Sequence, residues 1–221
     1  PDARSMATSG RGSGVVGYNV QTAVDAKHHL IVAHEVTNFG TDRSQLYNMA
    51  RQAKAALDVE ELEVVADRGY FKGEEILACE QDNITTYLPK PQTSGSLKKG
   101  LFSKRDFIYH PEDDEYECPA GERLIYRCTS EEKGQAIHKY WSSACPNCPI
   151  KARCTTGKNR RVSRWEHEHI LEALEQRLDA EPERMRVRRT TSEHPFGTLK
   201  AWMGATHFQT RTLPRVSTEM S

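Results

Sequence analysis

The chain has 221 residues and balanced charge, with 31 basic and 31 acidic side chains. Its hydrophobic share of 37% and charged share of 28% describe a soluble globular protein with a sizeable core. No apolar run approaches the roughly 18 residues that a membrane span needs, and no secretory signal precedes the first strand pattern. Composition therefore excludes a membrane partner, predicts a cytoplasmic protein and gives no nucleic-acid signal of its own.

The first half of the chain alternates between strand and helix patterns. Residues 1–14 are polar and rich in glycine and serine, which predicts a flexible lead-in. Alternating apolar residues over 16–38, interrupted by a turn at 25–29, predict a hairpin of two strands. The next apolar repeats predict a helix over 42–57 with Thr41 as its cap, a strand over 62–67, a helix over 72–82 and a strand over 84–90. This order of elements predicts a mixed α/β architecture.

The pattern changes after residue 92. Residues 93–162 carry most of the cysteines and only short strand-like runs, so we expect an insertion without a hydrophobic core of its own. Strong helical spacing returns over 166–178, and a second helix is expected over 183–193, ending before Pro195. The predicted organisation is a lead-in (1–14), an α/β core (15–92), a cysteine-rich insertion (93–162) and a C-terminal part of the core (163–221).

Five of the six cysteines fall between residues 118 and 154. Closely spaced thiols in a cytoplasmic protein favour tetrahedral zinc over disulfides. The four that we assign as zinc ligands are Cys118, Cys145, Cys148 and Cys154. Cys128 is left over, and His138 is an alternative ligand. Free cysteines and an iron–sulfur cluster are the competing interpretations. Cys79 lies in a helical pattern and is expected in the core.

Two carboxylates occupy positions that are typical of catalytic or ligand-binding residues. Asp67 ends an apolar strand and precedes a glycine turn, a position at which α/β proteins hold ligands, although a capping aspartate is an equally good interpretation. Glu193 lies four residues after Arg189, so the two share a helix face, and a surface ion pair is the ordinary alternative. Aromatic residues crowd the segment that follows, which suggests that a glutamate there needs a partner or a metal.

Three stretches together resemble a known family. "GYNVQTAVD" (17–25), "VVADRGY" (64–70) and "RTTSEHPFGTLK" (189–200) are similar to the DDE transposases of bacterial insertion sequences, in particular to a subgroup with a cysteine-bearing insertion before the catalytic helix. The resemblance extends over nearly the whole chain. It implies an RNase H-like mixed sheet flanked by helices, and a bacterial, nucleoid-associated protein.

The resemblance also implies roles for individual residues. Asp67 matches the second catalytic carboxylate and Glu193 the third, which together hold Mg²⁺ or Mn²⁺ for cutting and joining DNA. Arg189, Glu193 and Lys200 match the family's Arg-x3-Glu-x6-Lys pattern, in which the basic pair contacts the terminal phosphates of transposon DNA. The resemblance implies double-stranded DNA, both transposon ends and target, as the partner. Such enzymes act as homodimers on paired ends. Arg186 stands where the pattern has a tyrosine.

One expected residue is missing. The family places its first aspartate on the first strand of the sheet, and neither Asp2 nor Asp25 fits that position. We therefore expect a fragment that lacks the first strand and has lost strand cleavage and transfer. The alternatives are a non-catalytic DNA-binding remnant with a zinc insertion, in which basic runs at 158–164 and 184–189 track a DNA backbone, and a metal-dependent nuclease on the same core.

Overall fold

The computed structural model describes residues 2–6, 15–92 and 95–221. The chain forms two compact units, one made of Pro1–Pro91 with Ile170–Ser221 and the other of Gln92–His169. We call them the core unit and the insertion unit. Both strands and helices occur, so the predicted mixed α/β class is confirmed.

The core unit contains three separate pairs of strands within the described residues. The strands are β1 (Arg4–Met6) antiparallel to β2 (Val15–Gly17), β3 (Asn19–Val24) antiparallel to β4 (Ile31–Thr37), and β5 (Leu62–Val65) parallel to β6 (Ile84–Tyr87). The predicted hairpin is thus confirmed as β3 and β4, whose turn is tied by Asp25: its carboxylate accepts the backbone N–H groups of Lys27 and His28. The three pairs are not hydrogen-bonded to one another. A single RNase H-like sheet therefore remains a proposal.

Five α-helices are described. They are α1 (Leu46–Leu57), α2 (Gly73–Gln81), α3 (Glu168–Ala180), α4 (Arg184–Gly197) and α5 (Leu213–Met220). Helix α2 provides the crossover that a parallel pair such as β5 and β6 requires. The buried hydrophobic residues of the core unit include Leu46, Met49, Ala50, Ala53, Ile76, Cys79, Ile84, Leu88, Leu174 and Val216. None of the described helices is long and apolar enough to cross a membrane.

The expected lead-in is only partly described, since residues 1 and 7–14 lie outside the described ranges. The described part of this segment is ordered by strand pairing and hydrogen bonds. Residues Arg4–Met6 form β1, and the Asp2 carboxylate accepts hydrogen bonds from the Tyr18 hydroxyl at 2.6 Å and the Leu213 backbone N–H at 2.5 Å. The hydrogen bond from Tyr18, and to a smaller extent the one from Leu213, lowers the pKa of Asp2. Asp2 therefore has a structural role in joining the first residues to α5.

The predicted end of the last catalytic-region helix at residue 193 is wrong. Helix α4 continues through Pro195 to Gly197, and a π-helical turn over Thr198–Trp202 follows directly. Proline inside a helix removes one backbone hydrogen bond. Here Pro195 is buried, and the Ser192 and Thr190 hydroxyls bond to carbonyls one turn back, at Arg188 and Val187. The helix therefore continues through a proline whose ring is buried, and it ends two residues later.

The insertion unit is better ordered than its sequence suggested. Its antiparallel sheet runs in the order β11–β10–β9–β8–β7, with β7 (Ile108–His110), β8 (Glu115–Glu117), β9 (Arg123–Glu132), β10 (Gln135–Trp141) and β11 (Val162–Trp165). The expectation that it has no core is wrong, because five side chains form a buried cluster: Phe107, Tyr116, Leu124, Tyr140 and Val162. Three of its strands are only three or four residues long, too short for a clear periodic pattern.

Candidate active site

Asp67 lies two residues after the end of strand β5, at the start of a short 3₁₀ turn over Arg68–Tyr70. Its Oδ1 accepts the backbone N–H of Gly69 at 2.7 Å, so it caps the turn. Its Oδ2 accepts a hydrogen bond from Arg188 Nη2 at 3.0 Å, and 42% of the side chain is exposed. Asp67 is thus a capping residue, and it is also a carboxylate that a ligand can reach. The two interpretations of its position in the sequence are therefore compatible.

A second carboxylate lies beside it. Asp42 belongs to the loop between β4 and α1, and its Oδ1 accepts hydrogen bonds from Asn19 Nδ2 and Gln21 Nε2, each at 2.7 Å. Its other oxygen points toward Gly69: the position a β carbon would occupy there is 3.5 Å from Asp42 Oδ2 and 2.9 Å from Asp67 Oδ1. Strand β3 therefore orients Asp42 toward Asp67, and the missing side chain at Gly69 keeps the space between them open.

A buried hydrogen-bond network holds the Asp42 side chain of this pair in place. Gln21, only 1% exposed, donates to Asp42 and accepts a hydrogen bond from the Tyr70 hydroxyl. Burial, followed by the charges of Asp42 and Asp67, raises the pKa of Tyr70 well above its usual value. Tyr70 therefore stays a neutral donor at physiological pH, and its bond to Gln21 fixes the amide that holds Asp42.

Helix α4 contributes positive charge to the same place. Asp42, Asp67 and Gly69 line a pocket of about 400 Å³ together with Arg188 and Arg189, and the remaining lining residues are Arg68, Pro89 and Met185. Two carboxylates and three guanidinium groups at one opening can bind a cation on one side and an anion such as a phosphate on the other.

The structure brings together some of the predicted residues and not others. Asp67 and Arg189 both line the pocket, whereas Glu193 and Lys200 do not. Glu193 lies one turn beyond Arg189 on α4 and is exposed, and no described hydrogen bond or ion pair involves it. Lys200 lies in the π-helical turn, with its ammonium group 5.8 Å from the centre of the Phe196 ring.

Two residues of this site were missed from the sequence. Asp42 was assigned to the predicted helix, although the apolar repeat begins only at Leu46, and that late start was the available signal. Arg188 was overlooked in favour of its neighbour Arg189. Nothing in a run of arginines indicates which one reaches Asp67, because that depends on how α4 packs against β3 and β5.

A separate cavity lies in the insertion unit, with a volume of about 20 Å³, the size of one water molecule. The four cysteines assigned as zinc ligands all line it: Cys118, Cys145, Cys148 and Cys154. Cys128 is exposed on β9 and does not line it, and His138 instead contacts Thr129 and Tyr126. All of these cysteines are free thiols.

Burial and neighbouring groups shift the pKa of one thiol in the cysteine cavity. Burial raises the pKa of Cys154, Arg160 lowers it, and the three other cysteines raise it further. Within residues 2–6, 15–92 and 95–221, however, no three His, Cys, Asp or Glu side chains are placed to hold one metal ion as they stand. The thiols converge without reaching coordination geometry.

Comparison with known proteins gives one match. Residues 117–221 match a family model described as a transposase DDE domain. No curated protein matches the chain, and no solved structure matches it. The matched segment carries the four cavity cysteines, Arg189, Glu193 and Lys200, and it leaves out Asp67. The match supports a DDE transposase and a role in DNA transposition, with DNA as the partner.

Proposed function

We propose that this chain is the catalytic part of an insertion-sequence DDE transposase, which cleaves and joins double-stranded DNA with divalent metal ions. The observation that carries the proposal is the pocket in which Asp67 and Asp42 face the arginines of α4. The family match over residues 117–221 supports it independently, because α4 lies inside the matched segment.

The donor set suits Mg²⁺ or Mn²⁺. Asp67 and Asp42 provide hard carboxylate oxygens at one opening, which these ions prefer. Glu193, one helical turn beyond Arg189, is proposed as the third catalytic carboxylate. When bound, the metal ions supply an activated water or 3′-hydroxyl and stabilise the leaving oxygen. The missing first aspartate is proposed to lie in a part of the enzyme outside these 221 residues.

The chain's own residues have separate tasks in this proposal. Arg189 and Lys200 bind DNA phosphates, the arginine through its forked guanidinium and the lysine as a point charge. Arg188 holds Asp67 until substrate phosphate competes for the guanidinium. Gln21 and Tyr70 keep Asp42 oriented toward the pocket, so the carboxylates need no rearrangement when DNA arrives.

Plasmid nicking tests the proposal. The 221-residue chain, with two carboxylates at the pocket, is expected to give no Mn²⁺-dependent nicking of supercoiled DNA. A version extended by the preceding coding frame, if it supplies an aspartate on a strand, is expected to nick. Asp67→Asn and Glu193→Gln should each remove that activity, while the exposed Glu61→Gln serves as the matched control. Nicking by the shorter chain that Asp67→Ala abolishes would contradict the assignment of a missing ligand.

The second candidate is a non-catalytic DNA-binding protein on the same fold. It is favoured by the ion pair between Asp67 and Arg188, which occupies the carboxylate, and by the absence of Glu193 from the pocket lining. Duplex binding by the extended version without any nicking would support this candidate over the first.

Zinc in the insertion unit is the third element of the proposal. The four thiols come from two segments of the insertion unit, one at Cys118 and the other over residues 145–154, and they share one small cavity that Arg160 also lines. Zinc coordination by these side chains would join the two segments that carry them. Elemental analysis of purified protein decides: less than about half an equivalent of zinc would exclude a structural Cys₄ site.

A further inference from the structure

One stretch of the insertion unit carries charged side chains of only one sign. Residues 134–165 contain seven lysine or arginine residues and no aspartate or glutamate. The acidic residues of this unit fall mainly between 106 and 132. The chain as a whole is neutral, so this separation creates a local positive field that composition conceals.

We use the name basic surface for four exposed arginines and lysines in and next to this stretch: Arg127, Arg153, Lys158 and Arg161. Among the described residues, none of them forms an ion pair with a carboxylate, in contrast to Lys139, which lies 2.6 Å from Glu132. Their charge is therefore available to a partner.

An aromatic residue orients two of them. The guanidinium groups of Arg127 and Arg161 lie over the indole of Trp141, at 5.7 and 5.2 Å from the ring centre. Arg127 is also fixed by hydrogen bonds to the Trp141 carbonyl and the Ser143 hydroxyl. Stacking on an indole restrains the plane of a guanidinium and leaves its N–H edge for another acceptor.

The third arginine is restrained in a similar way. Arg153 lies 5.1 Å from the centre of the Phe102 ring, and the Phe102 carbonyl accepts a hydrogen bond from Arg160. Arg160 is followed directly by Arg161. Three cations are thus held by the aromatic and backbone groups around them, which lowers the entropy that a partner must remove.

We propose that the basic surface binds the phosphate backbone of double-stranded DNA, as a contact region separate from the carboxylate pocket. Phosphates complement unpaired, oriented guanidinium groups, which donate two parallel hydrogen bonds to one anion. Both Arg127 and Arg161 contact the Trp141 ring, so we assign the indole as their support. The inference rests on the proposed DNA substrate but not on cleavage, since binding needs no metal ion.

Salt-dependent binding tests it in the full 221-residue chain. Fluorescence anisotropy with a short labelled duplex, in the presence of a chelator, gives the affinity at several salt concentrations. Each of Arg153→Gln, Lys158→Gln and Arg161→Gln should lower the log–log salt slope by about one, and the triple variant should bind at least about tenfold more weakly. Arg123→Gln is the matched control, because this exposed arginine of the same unit lies 4.0 Å from Asp113.

A charge-neutral change separates orientation from charge. Trp141→Leu keeps every cation but removes the support of two, so affinity should fall by about threefold while the salt slope stays unchanged. Thermal melting of each variant shows whether it remains folded. Unchanged binding in the triple variant would overturn the inference while leaving DNA binding at Arg189 and Lys200 intact. No duplex binding by the unaltered chain, or tighter binding of single-stranded RNA, would overturn it as well.

Discussion

Arg188 Nη2 donates a hydrogen bond to Asp67 Oδ2 at 3.0 Å, so the carboxylate at the end of β5 is held by a cation from α4. This ion pair connects two segments 121 residues apart. It also competes with any metal ion for the same oxygen. The pair thus positions the carboxylate.

Arg188→Ala should release Asp67 at little cost to the fold. The pair is partly exposed, 26% for the arginine and 42% for the aspartate, and such pairs contribute at most about 1 kcal/mol to the free energy of unfolding. Weak Mn²⁺ binding, followed by electron paramagnetic resonance, should become tighter because Oδ2 loses its partner. Arg186→Ala, at an exposed position of the same helix, is the control. Weaker Mn²⁺ binding in Arg188→Ala would contradict this role.

Gln21→Leu should destabilise the core unit. The substitution removes one of the two donors of Asp42 and leaves the Tyr70 hydroxyl without its acceptor. An unpaired buried polar group costs about 1–3 kcal/mol, so the urea midpoint should fall accordingly. Gln81→Leu, at the exposed end of α2, should change the midpoint little. Equal midpoints for the two variants would show that the network carries no stability.

Removal of zinc should destabilise the insertion unit. A chelator should lower the melting temperature of the unaltered protein by roughly 5 °C or more, because a metal that binds only the folded state stabilises it. Cys148→Ser should melt at the lower temperature with or without chelator. Cys128→Ser should behave like the unaltered protein, since this thiol lies outside the cavity. A melting temperature that no chelator changes would argue against the site.

Cys79 should make the protein sensitive to alkaline pH. Burial raises the pKa of this thiol from 9.0 to about 12, so the folded state keeps its proton where the unfolded chain has lost it. The resulting stability is fully present below about pH 9 and is lost as the pH rises toward about 12. The free energy of unfolding should fall more steeply for the unaltered protein than for Cys79→Ala, by at most about 1.4 kcal/mol per pH unit. Parallel curves would contradict this.

Elements with strong local patterns could be predicted from the sequence. The hairpin of β3 and β4, the two strands on either side of α2 and the helix with Leu171 and Leu174 all follow from apolar periodicity. The insertion sheet could not be recognised in this way, because β7 and β8 are three residues each and β9 is exposed on most of its length. Its core forms only when these short strands pair.

The sequence by itself determined the residue types and their spacing: a carboxylate after a strand, four clustered thiols and a helix rich in arginine. Only the tertiary structure decided which of them meet. Asp42 lies beside Asp67 because Asn19 and Gln21 of β3 orient it. Arg188 pairs with Asp67 because α4 packs against β3 and β5. Helix α4 passes through Pro195, which is buried, although the local sequence predicts an end before it. Such contacts join residues distant in sequence, and local propensity carries no information about them.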